Sequence, residues 1–166
     1  MSTEKDGLET GAINEFSLAY ALLCGENKLV FQELRNPPEP DGLCTLDGLQ
    51  LHIEVGHIYG TVGDAKRLLG RNGKSAATNM EIQVSATTPL DLRLLTPLNE
   101  LLADKATKTY STPRVWLLIR SAFPLWDISD FKKHQTEIVV PLIHPFEQIW
   151  LLCGSSASNG LLRLAY

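Results

Sequence analysis

The sequence predicts an α/β domain with one mixed central sheet flanked by helices. Three observations carry this. Short apolar runs of strand length alternate with longer runs of helical period. The run "VWLLI", Val115 to Ile119, is apolar throughout, as in a central strand covered on both faces. The pair Asp47-Gly48 separates two apolar segments and is a strong tight-turn signal for a hairpin. The chain has 166 residues, 44% hydrophobic and 20% charged, which suits a single domain with a sizeable core.

The elements follow in order. Residues 1–12 are polar and read as a loose N-terminal tail, so the domain is expected over residues 13–166. Asn14 can cap a helix through "EFSLAYALLC" that stops at Gly25. Its apolar face comprises Phe16, Leu18, Ala19, Leu22 and Leu23. "KLVFQELR", Lys28 to Arg35, reads as a short strand ended by Pro37, Pro38 and Pro40, because proline donates no amide hydrogen and restricts its predecessor. The hairpin occupies "GLCTLDGLQLHIEVGHIY". On its second strand Leu49, Leu51, Ile53 and Val55 share one side, and Gln50, His52, Glu54 and Gly56 the other. Thr61 or Gly63 can start a helix through Leu69, and "MEIQVSA", Met80 to Ala86, alternates as a strand. "TPLNELLADKATKTY" reads as a crossover helix capped by Thr96, with Pro97 at its first position. After the central strand, "DISDFKKH" suits a short helix, "EQIWLLCG" an apolar strand and "GLLRLAY" a closing edge strand.

Composition excludes several classes. A net charge of −4 argues against a protein held to nucleic acid by bulk charge, though not against a local basic face. Cys24, Cys44 and Cys153 are widely spaced, with no CxxC pair, which suggests neither a zinc knuckle nor a disulfide framework. With no apolar leader at the N-terminus and no membrane-length apolar run, a cytoplasmic, reducing setting without membrane insertion is expected.

The chemistry concentrates in "NPPEPDGLCTLDGLQLHIEVGH", Asn36 to His57. A hairpin centred on Asp47-Gly48 sets position 41 opposite position 54. Directly opposed residues have Cβ atoms about 4.5–5.5 Å apart. Two carboxylates so close repel each other, and a divalent cation that prefers hard oxygen relieves the repulsion. Mg²⁺ or Mn²⁺ suits such a pair and can activate water for phosphodiester hydrolysis. The plain alternative is a solvated polar face, since Gln50, His52 and Glu54 are all polar.

Pro40-Asp41 followed by "IEV" around Glu54 resembles the core motif of the PD-(D/E)xK nuclease superfamily, the restriction-endonuclease-like fold. The resemblance covers roughly residues 13–120, with "PFEQIWLL" similar to the closing strand of small members. It implies Asp41 and Glu54 as metal ligands for Mg²⁺ or Mn²⁺, with Glu15 on the first helix as a third, and DNA as the substrate. Dimerisation is expected on the same ground. The motif lysine is missing: Gly56 stands two residues past the second acid, where the family carries a lysine implied to orient or polarise the attacking water. Lys66, on the next predicted helix, and Lys105, on a later one, are the candidate replacements, Lys66 slightly ahead. An inactive domain of this fold that binds nucleic acid or a protein partner is the alternative, and "FPLWDISDF" offers a surface for such a partner.

Other motifs are weaker. Lys66, Arg67, Arg71 and Lys74 form the densest basic cluster and are candidate contacts to a DNA backbone. "GRNGKS" is not a phosphate loop: it follows a predicted helix, and its first glycine stands too close to Gly73-Lys74. The four histidines show no metal-ligand spacing, and the aromatic residues are explained by core packing.

Overall fold

The computed structural model describes residues 3–25, 29–58, 90–121, 127–153 and 160–165. Helix α1 spans Glu4–Cys24 and strand β1 spans Leu29–Leu34. Strands β2, Gly42–Leu46, and β3, Leu49–Ile58, form the hairpin. Helix α2, Leu90–Ala106, precedes strand β4, Val115–Ser121. The short helix α3, Ile128–Lys133, and one turn of 3₁₀ helix, Gln135–Glu137, lead to β5, Gln148–Cys153, and β6, Leu161–Ala165. The predicted helix from Thr61 or Gly63 and the predicted strand Met80–Ala86 lie outside the described residues.

The six strands form one sheet in chain order. β1, β2 and β3 are antiparallel neighbours, β3, β4 and β5 run parallel, and β6 returns antiparallel to β5. The expected mixed sheet flanked by helices is therefore present. Its parallel centre is buried on both faces. On one face Leu94, Leu98 and Leu102 of α2 and Phe131 of α3 pack against Leu117, Ile119 and Leu151. On the other, Ala12, Ile13 and Phe16 of α1 pack against Leu51, Ile53, Trp116 and Trp150. This alternation along β4 and β5 is why both strands read as unbroken apolar runs.

Two helices start earlier than the sequence suggests. α1 begins at Glu4, so residues 4–12 belong to the helix and not to a tail. Thr3 caps it by accepting a hydrogen bond from the Asp6 N–H, while Asp6 accepts one from the Thr3 N–H, a reciprocal capping box. α2 begins at Leu90, so Pro97 lies inside the helix and not at its first position. Asp47 and Gly48 both adopt positive φ, 54° and 81°, as a two-residue turn matched to strand twist requires. Among the described residues no helix is long and apolar enough to cross a membrane. Cys44 and Cys153 are buried free cysteines, and burial pushes both thiols up to about 12.

Candidate functional site

The hairpin register is the one that the turn predicts. Gly42 pairs with Ile53, Leu43 with His52, and the ladder closes at Leu46 and Leu49. Asp41 sits one residue before this ladder and fastens three strands. Its carbonyl accepts from the Arg35 N–H at 2.7 Å, at the end of β1, and its Oδ2 accepts from the Val55 N–H of β3 at 2.8 Å. Neither acid is on a solvated face: Asp41 is 9% exposed and Glu54 6%. His52, on the same side of β3 as Glu54, is buried too.

A buried carboxylate needs a partner. Glu54 has one from the other side of the chain: Lys105 Nζ, in the last turn of α2, donates to Glu54 Oε1 at 2.6 Å. This is a charge-assisted hydrogen bond of short length. The reason α2 can approach is Gly56. A Cβ there would lie 2.9 Å from Leu101 Cδ2, so the position of the expected lysine is filled by the helix that delivers Lys105.

A cavity of about 520 Å³ opens beside these groups. α1 contributes Lys5 and Glu9, the proline turn Glu39 and Asp41, and β3 Glu54. The end of α2 and the loop after it contribute Asp104, Lys105, Lys108 and Tyr110. Among the described residues, five carboxyl groups thus face three lysines, and neither histidine nor cysteine lines the cavity.

Glu9 is the acid that sequence reasoning missed. It is 6% exposed and pairs with Lys5 at 3.3 Å. Burial, and then the charge of Asp41, push its carboxyl up to about 7. The signal was present: Glu9, Ala12, Ile13 and Phe16 recur at one-face helical spacing, so the buried stripe of α1 extends a turn further than its apolar residues show. Tyr110 is the second missed group. Burial, followed by the charge of Glu54, raises its phenol above the ordinary value, so it remains a hydrogen-bond donor at neutral pH.

Glu15 does not line the cavity. It is six residues past Glu9, about one and two-thirds turns, and so projects from another side of α1. Its carboxylate accepts from Arg120 Nη2 at 3.0 Å. Lys105 reaches Glu54. Lys66, Arg67, Arg71 and Lys74 lie outside the described residues, as do Phe123 to Trp126 of "FPLWDISDF". Of the remainder of that segment, Ile128 and Phe131 lie in the core, while Asp127 and Ser129 are exposed.

Among the described residues, no three His, Cys, Asp or Glu side chains form a group that could hold a metal ion between them. The donor chemistry nonetheless fits Mg²⁺ or Mn²⁺: hard carboxylate oxygens in a polar cavity. Mg²⁺ is commonly held by one or two carboxylates while keeping several waters. Comparison with protein-family models, with curated proteins and with solved structures finds no match.

Proposed function

We propose that this is a PD-(D/E)xK-like domain carrying out Mg²⁺-dependent phosphodiester hydrolysis of DNA, with Asp41 and Glu54 as metal ligands. One observation carries the reading: Asp41, Glu54 and Lys105 line a single cavity, with Lys105 bonded to Glu54 at 2.6 Å. An acidic cavity repels phosphate, and a divalent ion held there supplies compensating charge and Lewis acidity. Lys105 fixes the Glu54 carboxylate in place through its short hydrogen bond, and brings an ammonium group to Glu54 without occupying position 56. The Tyr110 phenol offers a neutral donor beside Glu54. Lys5 and Lys108 bring positive charge to the cavity, suited to phosphates flanking the scissile one. Lys66, Arg67, Arg71 and Lys74 are the proposed further contacts to the DNA backbone.

Incubation of the purified protein with plasmid and oligonucleotide DNA tests this. Cleavage is expected with Mg²⁺ or Mn²⁺ and not with EDTA. Asp41→Asn, Glu54→Gln and Lys105→Met should each lower it by about 10²-fold or more, in line with loss of an acid–base or electrostatic group. Cleavage that persists unchanged in these variants sinks the assignment.

A second reading is a non-catalytic binding domain on the same fold. It is favoured by Glu54 already having an ammonium partner within the chain. It predicts no heat of Mn²⁺ binding and no cleavage, so calorimetry separates the two.

A further inference from the structure

The Glu54–Lys105 pair joins a fixed carboxylate to a movable ammonium. Glu54 lies in the middle of β3, opposite Leu117 in the parallel ladder with β4, so its backbone is held on the sheet. The backbone of Lys105 is fixed too. It stands in the last turn of α2, whose Leu98 and Leu102 are in the core and whose Leu101 lies over Gly56. The Lys108 N–H donates to the Lys105 carbonyl at 3.2 Å and continues the turn. The head of the lysine has more freedom, because its ammonium carries three donors on a flexible four-carbon stem. The bond to Glu54 Oε1, at 2.6 Å, uses one of those donors, and the cavity of about 520 Å³ leaves room beside the ammonium.

This pairing conflicts with a cation on Glu54. The two oxygens of a carboxylate share one carbon, so a divalent ion on either of them comes close to the ammonium, and like charges at such range repel. Nor does a phosphate ester enter easily by itself. It meets five carboxyl groups, and drawing the ammonium towards it strips a buried Glu54 of its partner. A divalent cation entering by itself leaves the largely buried ammonium without a partner in turn. Entering together, the two ligands resolve both conflicts, since the cation compensates Glu54 and the phosphate compensates Lys105.

We propose that Lys105 is an exchangeable counter-ion, whose ammonium yields Glu54 to a divalent cation and turns to an oxygen of the phosphate ester that enters with it. The inference rests on the metal-dependent reading above and adds that metal and phosphate load cooperatively. By linkage, each ligand then raises the affinity for the other by the same factor. Lys105 consequently acts in opposite directions on two measurable quantities. It weakens the binding of metal alone, while cleavage depends on it.

Calorimetric titration with Mn²⁺ tests this, without nucleotide and with saturating thymidine 5′-monophosphate, a monoester with no phosphodiester bond to cleave. Heats are corrected for the complex that Mn²⁺ forms with the nucleotide in solution. Without nucleotide, Lys105→Met and Lys105→Gln should each bind Mn²⁺ about tenfold or more tighter than the parent, since a neighbouring positive charge is gone. The nucleotide should raise the parent's Mn²⁺ affinity by about tenfold, within the range usual for coupled sites, and that of both variants by clearly less. Asp41→Asn should abolish the parent's Mn²⁺ binding, which ties the heat to this cavity. Melting curves in EDTA confirm folding, and Lys105→Gln, which keeps a hydrogen-bond donor at the position, carries the test if Lys105→Met is unfolded. Mn²⁺ binding that is equal or weaker in the folded variants overturns the proposal and leaves the metal site standing. So does an equal effect of the nucleotide on parent and variants. Heat from neither the parent nor the variants, or binding unaffected by Asp41→Asn, overturns the metal-dependent reading and this proposal together.

Discussion

Glu54 and Lys105 stabilise the fold only as a pair. Their side chains are 8% and 13% exposed, so removing one leaves the other charged and poorly solvated. Lys105→Met should therefore lower stability by about 3 kcal/mol, the lower end for breaking a buried pair, since the cavity admits water. The double variant Lys105→Met, Glu54→Gln should recover most of that loss. Denaturant titration of both in EDTA checks it, and strict additivity would show the pair to be uncoupled. Glu9 sets a pH dependence with a definite sign. Its carboxyl is raised from 4.5 to about 7 on folding, so between these values the folded state holds a proton that the unfolded state has released. Its contribution is fully present below about 4.5 and is lost as pH rises towards 7. His57 works in the opposite sense: burial, then the charge of Arg120, push it down from 6.5 to about 4, so stability rises with pH between those values. Glu9→Gln should therefore abolish the Glu9 loss, making the variant gain on the parent as pH rises from 5 to 7.5, read from denaturation midpoints. An identical pH profile for the two proteins would contradict it. Asp41 and Glu54 were legible in the sequence because a two-residue turn fixes the parity of every residue on both strands. Glu9 was not, because its helix was read from apolar residues alone and the buried stripe ends in an acid.

Among the elements, α2 decides whether the site is complete. It supplies Lys105, and it approaches β3 closely because position 56 has no side chain. Gly56→Ala places a methyl 2.9 Å from Leu101 Cδ2, and since that contact is with the end of a flexible side chain, the expected cost is moderate, about 1–2 kcal/mol. In a Leu101→Ala background the same substitution should cost clearly less, which thermal melts of the four proteins would show. The corresponding position at the α1 face is tighter, with a Cβ on Gly42 meeting Ile13 Cδ1 at 2.5 Å, so Gly42→Ala should be the more damaging of the two. The strands were legible because their two-residue period and turn signals agree with the sheet. The helix starts were less so. Gly7 and Gly11 weaken the apparent helical character of the first three turns of α1, yet a capping box at Thr3 and Asp6 anchors them. Pro97 mimics a first-turn proline, and only packing of Leu94 and Leu95 against the sheet shows that the helix began earlier.

At the scale of the whole molecule, the two cores lie on opposite faces of the same three strands. Leu117, Ile119 and Leu151 face α2, while Trp116, Leu118, Trp150 and Leu152 face α1. Neither core can be lost without removing the backing of the other, because the shared strands β3, β4 and β5 owe their burial to both. This architecture predicts a single cooperative transition. The tryptophans allow a direct test, since Trp116 and Trp150 both lie in the α1-side cluster, and Trp126→Phe leaves only those two. In that background Leu98→Ala, a cavity mutation on the opposite face at a fully buried position, should cost about 2–5 kcal/mol. The denaturant midpoint read from tryptophan emission should fall by the same amount as the midpoint read from far-ultraviolet circular dichroism. If the two faces were separate units, the circular dichroism transition would broaden or split while the tryptophan midpoint stayed where it was, so coincidence of the two curves is the measurement that decides whether the sheet couples its cores.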